Sequence, residues 1–237
     1  GDPSSDSLAT KLKKIRDYKK KNTKPFFLWH LHFADVFRSN GGFDIVIANP
    51  PYVNVFELDK DTEFDKKIYR DKYKSASGAF DLYILFHEWC IDLAKQDGVI
   101  TLISPNKYLS AEYAQKLREF IVNHATFVNL VDLSSIKIFD ASVYPIVSIY
   151  QKLLTNHPIQ VLRGLGEVGN IQIIGNNVYQ QNQMRTSPKL IWSFLLSGSS
   201  GIYQKINSHH KITDVCNVTA SFSVDEAYKI KKLVCNA

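Results

Sequence analysis

The chain has 237 residues, of which 45% are hydrophobic and 22% are charged. This size fits one large domain, or one domain and part of a second, and the composition excludes a largely disordered chain. The formal net charge of +6 favours a polyanionic partner. No apolar run approaches the roughly 20 residues of a membrane span, and the first residues lack the apolar stretch of a secretory signal. The three cysteines form no CxxC pair, so we expect a soluble, cytoplasmic protein with no metal site and no membrane partner.

The first predicted element is an amphipathic helix over residues 8–21, where apolar side chains recur at helical spacing. Within residues 11–24, eight Lys or Arg residues stand against a single acid. Such a run is either a solvated helix face or a surface that binds phosphate, and in the second case Lys13 and Lys20 are candidate contacts. We assign residues 1–24 to a basic helical N-terminal segment.

Next, the sequence predicts a strand, a break and a second strand. Residues 26–37 are rich in aromatic side chains and are predicted to run as a strand and then a turn. Residues 43–48, with the sequence FDIVIA, form a short β-branched run of the type buried on both faces of a parallel sheet. The highly charged residues 57–77 are predicted to form a mobile surface loop.

From residue 79 onward helical and strand patterns alternate. The predicted elements are a helix over 79–95, a strand over 99–104, a helix capped by Ser110, and strands over 127–132 and 143–150. This order predicts a doubly wound α/β sheet, in which the last two strands pair antiparallel because no helix separates them. Residues 156–202, which mix Gly, Asn, Gln and Ser with short β-like pieces, are predicted to be a connector.

The tetrapeptide Asn49-Pro50-Pro51-Tyr52 directly follows the FDIVIA strand. Ligands of open α/β sheets bind at the carboxyl ends of strands, and two consecutive prolines stiffen the backbone and remove two N–H donors. The Asn49 side-chain oxygen and the Pro50 carbonyl can therefore point outward as acceptors, beside the flat ring of Tyr52. This arrangement suits a planar group with an exocyclic NH₂, held for attack on an electrophilic methyl group. The alternative is an Asn-Pro turn that merely ends a strand.

Residues 43–53 resemble the catalytic NPPY motif of the adenine-N6-specific DNA methyltransferases, in particular the type fused in combined restriction–modification enzymes. The similarity extends over residues 25–152. It implies a partial Rossmann-like, S-adenosylmethionine-dependent methyltransferase sheet that comprises the C-terminal half of that fold. It further implies methyl transfer from S-adenosyl-L-methionine to an adenine that is flipped out of double-stranded DNA.

The resemblance implies a role for each matched residue. Asn49, Pro50, Pro51 and Tyr52 are the catalytic residues, Asp35, Asn49 and Asp81 contact the cofactor, and Tyr52 and Phe139 stack on the two sides of the flipped base. Lys107 follows a predicted strand at the same edge of the sheet. It is either a contact to DNA phosphate or a solvated side chain.

One part of the family pattern is missing, because the residues before Asn49 contain no Gly-rich loop for the cofactor. Residues 164–169 fit GxGxxG, but no helical pattern follows them, so we interpret them as part of the connector. We therefore expect a fragment that lacks the N-terminal part of the same enzyme, binds S-adenosylmethionine incompletely and is inactive alone. The exposed edge of such a sheet favours self-association.

We divide the chain into the basic segment, a methyltransferase half-domain over residues 25–155, and a connector with the start of a target-recognition domain over residues 156–237. The last assignment depends on residues 211–232, which resemble the opening of a DNA-specificity domain. Two other functions stay open. One is methylation of another planar amine or amide, such as an RNA adenine or a protein glutamine, and the other is a non-catalytic DNA-binding remnant.

Overall fold

The computed structural model describes residues 16, 27–55, 63–139, 143–197, 202, 205, 208, 209 and 216. The predicted N-terminal helix, with Lys13 and Lys20, and the segment 211–232 lie outside the described residues, apart from Arg16 and Cys216. The chain divides into two compact units, residues 1–192 and residues 193–237. In the second unit the structure describes a short helix, Phe194–Ser197.

Helices and strands alternate through the first unit. In chain order they are α1 (Trp29–His32), α2 (Ala34–Asn40), β1 (Phe43–Ala48), α3 (Glu63–Lys72), α4 (Leu82–Leu93), β2 (Ala94–Pro105), α5 (Gln115–His124), β3 (Thr126–Asp132), β4 (Pro145–Gln151), β5 (Ile159–Glu167), β6 (Asn170–Tyr179) and α6 (Gln181–Arg185). Short 3₁₀ turns cover Asn106–Leu109, Glu112–Ala114 and Pro188–Leu190. Among the described residues, no helix is both long and apolar enough to cross a bilayer.

The strands form one six-stranded sheet in the order β1-β2-β4-β3-β5-β6. β1 runs parallel to β2, whereas β4 runs antiparallel to both β2 and β3. The predicted α/β sheet with an antiparallel final pair is therefore confirmed. β2 begins at Ala94 rather than at residue 99, and the pairing between β1 and β2 is irregular near Asp97, which has a φ of 65°.

One face of the sheet is covered by α4 and α5. α4 has a nearly continuous apolar sequence and buries eight of its side chains, while α5 buries four of its own. Each fully buried aliphatic or aromatic side chain contributes roughly 1.5–3 kcal/mol. α5 begins at Gln115 and not near Ser110, because residues 106–114 wind as two 3₁₀ turns and no side chain caps the helix.

The opposite face of the sheet is open at β1. Ile45 and Ile47 are 64% and 78% exposed, and Val99, the neighbour of Ile45 on β2, is 37% exposed. The prediction that FDIVIA is buried on both faces is therefore wrong. In the described part of the chain β1 is also an edge strand with one neighbour, β2.

The strand predicted over residues 26–37 is also wrong, because α1 and α2 occupy this region. Trp29, Phe33 and Phe37 recur at a spacing of four, which places them on one helical face. All three rings contact Phe43 at the start of β1, with centroids 5.2–5.7 Å apart. The high aromatic content of the segment, which is typical of strands, masks this helical spacing.

The mobile loop predicted over residues 57–77 is wrong for residues 63–72, which form α3. Tyr69 on this helix packs against a buried cluster of Val55, Phe80 and Leu85. An apolar contact on one side is enough to hold a helix most of whose other positions are charged. The abundance of Lys, Asp and Glu in this segment concealed the contact made by Tyr69.

The connector predicted after residue 155 is corrected for residues 159–179, which form the hairpin β5–β6. β5 pairs parallel with β3, so the hairpin extends the same sheet. The GxGxxG sequence at residues 164–169 belongs to this hairpin, and β6 rather than a helix follows it. Gly166 has a φ of 110°, and a Cβ there would lie 2.3 Å from the Asn170 carbonyl oxygen, so hairpin geometry explains this glycine.

Candidate functional site

The predicted catalytic tetrapeptide lies where three strand ends meet. β1 ends at Ala48, directly before Asn49, and Ala48 is in register with Leu102 near the end of its parallel neighbour β2. β4 begins at the same edge because it runs antiparallel to β2, and the Asn106 N–H donates to the Tyr144 carbonyl at 2.9 Å. The site therefore lies at the carboxyl edge of a parallel pair, where open α/β sheets bind ligands.

Asn49 is exposed at this edge, whereas Pro50 is buried. The Tyr52 hydroxyl donates to the Ile103 carbonyl at 3.1 Å and lies 3.4 Å from Asn49 Oδ1. Burial raises the pKa of Tyr52 to about 12, so its hydroxyl keeps its proton and remains a donor. The Pro50 carbonyl accepts no backbone N–H from the residues that the structure describes. Asn49 can therefore present a side-chain acceptor beside a second, backbone acceptor.

The segment after Tyr52 is fixed to the beginning of α4. The Leu82 N–H donates to the Val53 carbonyl at 2.8 Å, and the Val55 N–H donates to the Phe80 carbonyl at 3.0 Å. These two bonds form a short antiparallel bridge that holds the chain on both sides of Asn54. Tyr52 is therefore held by its own hydroxyl and by the residues that follow it.

The carboxylate of Asp81 is bonded through both oxygens. Oδ1 accepts from Asn54 Nδ2 at 2.9 Å, and Oδ2 accepts from the Tyr113 hydroxyl at 2.8 Å. Burial is the main cause that raises the pKa of Tyr113 to about 12, and its hydroxyl also lies 3.2 Å from that of Tyr83. Asp81, predicted as a cofactor contact, here links the segment after Tyr52 to the beginning of α4 and to the 3₁₀ turn that contains Tyr113. Sequence reasoning missed Asn54 and Tyr113, which form no motif with Asp81.

A cavity of about 390 Å³ opens beside Tyr52. Its volume falls within the range of small-molecule sites. The residues that line it are Tyr52, Asn54, Asp81, Tyr83, Pro105, Asn106, Lys107, Val143 and Tyr144. Three tyrosine rings, two amides, one acid and one base therefore surround a space suited to a planar polar group.

The predicted stacking pair does not form a sandwich in this structure. The ring centroids of Tyr52 and Phe139 are 5.3 Å apart and the rings are inclined at 86°. A base held between two parallel rings needs about 7 Å between them, twice the contact distance of carbon atoms. The two rings instead contact each other edge to face, an arrangement that is favourable for aromatic pairs. Phe139 is not among the residues that line the cavity, and neither are Asn49 and Pro50, which precede Tyr52 at its side.

The other predicted residues are placed as follows. Lys107 is exposed and lines the cavity. Asp35 is exposed in the first turn of α2, and not on a strand as the resemblance implied. No group of three His, Cys, Asp or Glu side chains within the described ranges could hold a metal ion.

The described residues do not complete a pocket for S-adenosylmethionine. Asp35 lies on an exposed helical turn, both oxygens of Asp81 are already bonded, and the GxGxxG sequence is part of a hairpin. The residues present fit the binding of a planar amine better than the binding of this cofactor. We therefore derive no chemical step through it.

The Eco57I restriction-modification methylase family matches residues 3–139, more than half of the chain. The chain belongs to this family. It is 33% identical over 101 residues to the type II restriction enzyme and methyltransferase RM.Eco57I of Escherichia coli. This match covers 43% of this chain and 10% of that protein. It is 31% identical over 140 residues to the type II methyltransferase M.BstVI of Geobacillus stearothermophilus. That match covers 59% of this chain and 24% of the relative.

A solved structure supports the family fold. The type IIG restriction endonuclease BpuSI matches with a TM-score of 0.52 and 19% identity, over 70% of this chain and 22% of that chain. At this identity the likeness concerns the fold alone. The resemblance to restriction–modification methyltransferases is thus confirmed at the level of family and fold, for a chain that spans between 10% and 24% of the two curated relatives named above.

Proposed function

We propose that this chain carries the target-base half of the active site of a site-specific DNA adenine-N6 methyltransferase of a restriction–modification system. The observation that carries the proposal is the exposed Asn49 beside Pro50 at the end of β1, next to a cavity lined by Tyr52. S-adenosylmethionine is the methyl donor that family membership favours. Double-stranded DNA in the cytoplasm is the substrate we infer.

The geometry of the tetrapeptide explains how it would act on the base. A base inside a duplex cannot present its amino group to a reactant, so it must be flipped out and held. Asn49 Oδ1 and the Pro50 carbonyl would accept the two hydrogens of the exocyclic NH₂, which directs the nitrogen lone pair out of conjugation with the ring. Tyr52, anchored on Ile103, would offer its ring for stacking. When bound, the donor supplies an electrophilic methyl group, and these residues orient the nucleophile.

The distribution of charge fits a nucleic-acid partner. Lys107 is exposed at the cavity, and Lys13 and Lys20 lie in the basic segment outside the described residues. Each lysine that neutralises a phosphate strengthens binding and makes it more sensitive to salt. We infer that Lys107 contacts the phosphate beside the flipped nucleotide.

The proposed function predicts a preference for bases that are not paired. We expect the chain to bind a duplex with a mismatched adenine about tenfold more tightly than the matched duplex, because flipping out a mismatched base costs less free energy than flipping out a paired one. Fluorescence anisotropy with both duplexes, at one fixed salt concentration, measures the ratio. A basic module that only contacts the backbone would bind the two duplexes equally, and this result would reject the proposal. A preference for the RNA version of the unpaired strand would favour an RNA substrate.

Asn49 should account for recognition of the amino group. We expect the unaltered chain to bind a single strand with one adenine about tenfold more tightly than the same strand with purine, which lacks the amino group, because two hydrogen bonds are lost. Asn49→Ala should reduce this ratio to about three, since one of the two acceptors remains. Asn123→Ala, which removes another exposed asparagine, is the matched control. If Asn49→Ala keeps the full ratio, the acceptor role is wrong.

The open face of β1 should drive self-association. Ile47 is 78% exposed beside the outer edge of β1, and such edges pair readily with other strands. We expect Ile47→Lys to weaken association at least about tenfold in sedimentation velocity, because a charge opposes edge pairing. Leu154→Lys replaces a residue that is 54% exposed in a loop and should change nothing. Equal behaviour of the two variants would contradict this role of the edge.

A further inference from the structure

We propose that Arg118 is a positioning residue of the candidate site, whose guanidinium holds in place the turn that presents Asn106 and Lys107 to the cavity. This turn, residues 106–111, directly follows β2, and Arg118 lies on α5. The inference rests on the proposed function, in which Lys107 contacts phosphate. It adds a residue that lies outside the motifs from which the site was predicted.

Arg118 is buried although it carries a charge. The residue is 1% exposed, and no described carboxylate forms an ion pair with it. Nη1 donates to the Tyr108 carbonyl at 2.7 Å and to the Ala111 carbonyl at 2.8 Å. Nη2 donates to the Lys189 carbonyl at 3.3 Å. Because a buried charge is costly unless it is paired or hydrogen-bonded, these backbone carbonyls take the place of an acid.

The Nε atom of Arg118 indicates that the bonds to the carbonyls determine where the side chain lies. Nε is buried and has no hydrogen-bond partner in the part of the chain that the structure describes. The donors of a guanidinium point in fixed directions within one plane, so the orientation that serves the three carbonyls also fixes the direction of Nε. A buried N–H without a partner is unfavourable, and this orientation is kept in spite of it.

A chain of hydrogen bonds connects Arg118 to Lys107. Arg118 binds the Ala111 carbonyl, and the Ala111 N–H donates to the Lys107 carbonyl at 2.8 Å. At the other end of the turn the Asn106 N–H donates to the Tyr144 carbonyl. Asn106 and Lys107 line the cavity between these two attachments. Their position at the cavity therefore depends on Arg118.

The third carbonyl belongs to a strained segment from much later in the chain. Lys189 and Leu190 both have a φ of 51°, which is unfavourable for residues with a Cβ. Nearby in sequence, Trp192 is buried, and its N–H donates to the Leu109 carbonyl of the turn at 2.7 Å. Strained residues persist where the surrounding contacts hold them. Arg118 and Trp192 therefore fix the same turn from two distant parts of the sequence.

Hydrogen exchange tests the positioning in the absence of DNA. Arg118→Lys keeps the charge but replaces the planar group by a single ammonium, which cannot reproduce bonds to three carbonyls. We expect the Ala111 amide to exchange at least about tenfold faster in this variant, because the turn opens locally, while the amides of β4 keep their rates. Arg163→Lys, the same change at a side chain that is 57% exposed, is the control and should alter neither. Equal acceleration in the turn and in β4 would assign Arg118 to general folding and would overturn the inference.

A double-mutant cycle on DNA binding tests whether Arg118 acts through Lys107. The probe is a fluorescein-labelled duplex with one mismatched adenine, at an ionic strength of about 0.15 M. We expect Lys107→Ala to raise the Kd about fivefold, the effect of one lost phosphate contact at this salt concentration. Arg118→Lys should raise it about threefold, because Lys107 is displaced rather than removed. In the Lys107→Ala background, Arg118→Lys should cause no further change.

The outcomes separate this inference from the function on which it rests. If the two losses multiply in the double variant, or if Lys107→Ala weakens binding and Arg118→Lys does not, the inference is overturned. If Lys107→Ala leaves the Kd unchanged, the proposed phosphate contact is wrong, and the exchange rates alone decide the role of Arg118. Thermal melting shows whether each variant folds. If Arg118→Lys does not, Arg118→Gln, with two N–H donors and no charge, replaces it in both measurements.

Discussion

Replacing Gly42 by alanine is expected to destabilise the chain by about 4 kcal/mol, a large share of the total stability of a domain. Gly42 is buried directly before β1 and has a φ of 150°. A Cβ at this position would lie 2.6 Å from the Leu93 carbonyl oxygen, 2.7 Å from the Lys95 nitrogen and 2.8 Å from the Ala94 carbonyl carbon. All three are backbone atoms at the junction of α4 and β2, so no side-chain rotation relieves the overlap.

Gly41 provides the matched control for this prediction. It also has a positive φ, of 75°, but a Cβ there would meet no atom within 4 Å. Gly41→Ala should therefore lose only about 1 kcal/mol, the strain of a left-handed residue. Urea unfolding gives the loss in free energy of unfolding for each variant. The difference between the two losses is the cost of close packing at Gly42 beyond backbone strain. Equal losses would mean that the approach of β1 to the α4–β2 junction is looser than described.

This close approach matters to the candidate site because β1 leads directly into the tetrapeptide that we propose to be catalytic. Ala48 lies opposite Leu102 on β2, and the Tyr52 hydroxyl reaches the next β2 residue, Ile103. A shift at the start of β1 would therefore move Asn49 relative to the cavity wall. We expect the folded fraction of the Gly42→Ala variant to lose its preference for adenine over purine, whereas the Gly41→Ala variant should retain this preference.

The sequence predicted those parts of the site that depend on neighbouring residues. The strand before Asn49, the stiff diproline and the strand that ends at Pro105 all follow from local patterns, and the structure contains them. Parallel pairing then brings the two strand ends to one edge. For this reason the tetrapeptide, Lys107 and the antiparallel β4 could be predicted from local patterns alone.

The contacts that depend on distant residues could not be predicted in this way. Tyr113 reaches Asp81 across 32 positions, and Tyr144 joins the cavity through strand pairing with the end of β2. No periodicity or spacing marks such pairs, because each residue has an ordinary local pattern of its own. The same limit explains why the edge-to-face contact between Phe139 and Tyr52 was not predicted. This contact depends on the conformation of both rings rather than on motif order.

Behind the cavity wall lies a buried polar network centred on His87. His87 Nε2 is 3.1 Å from Ser104 Oγ, and its Nδ1 is 3.1 Å from the Tyr150 hydroxyl. The Tyr108 hydroxyl lies 3.1 Å from that of Tyr150 and 2.6 Å from Ser148 Oγ. Neutral imidazole, with one donor and one acceptor, satisfies both of its neighbours. Ser104 directly precedes Pro105 and Asn106, which line the cavity beside Tyr52, so this network supports the wall of that cavity.

Burial lowers the pKa of His87 from 6.5 to about 3, and acid should therefore destabilise the fold. Between these two values the unfolded chain binds a proton that the folded chain does not, so stability falls as the pH falls. The loss begins near pH 6.5, grows by about 1.4 kcal/mol per pH unit, and would approach about 4–5 kcal/mol near pH 3. At pH 4.5 it should amount to about 2–3 kcal/mol.

The variant His87→Gln isolates this contribution, because an amide can donate and accept like neutral imidazole but does not titrate in this range. Urea unfolding of both chains at pH 7 and pH 4.5 gives two losses of stability, and the unaltered chain should lose about 2–3 kcal/mol more than the variant. Other titrating groups contribute to both chains and cancel in the comparison. Equal losses would mean that the imidazole can take up a proton without leaving its site. The expected difference would instead show that this buried position excludes the charged imidazole, and that the wall of the cavity beside Tyr52 weakens in acid.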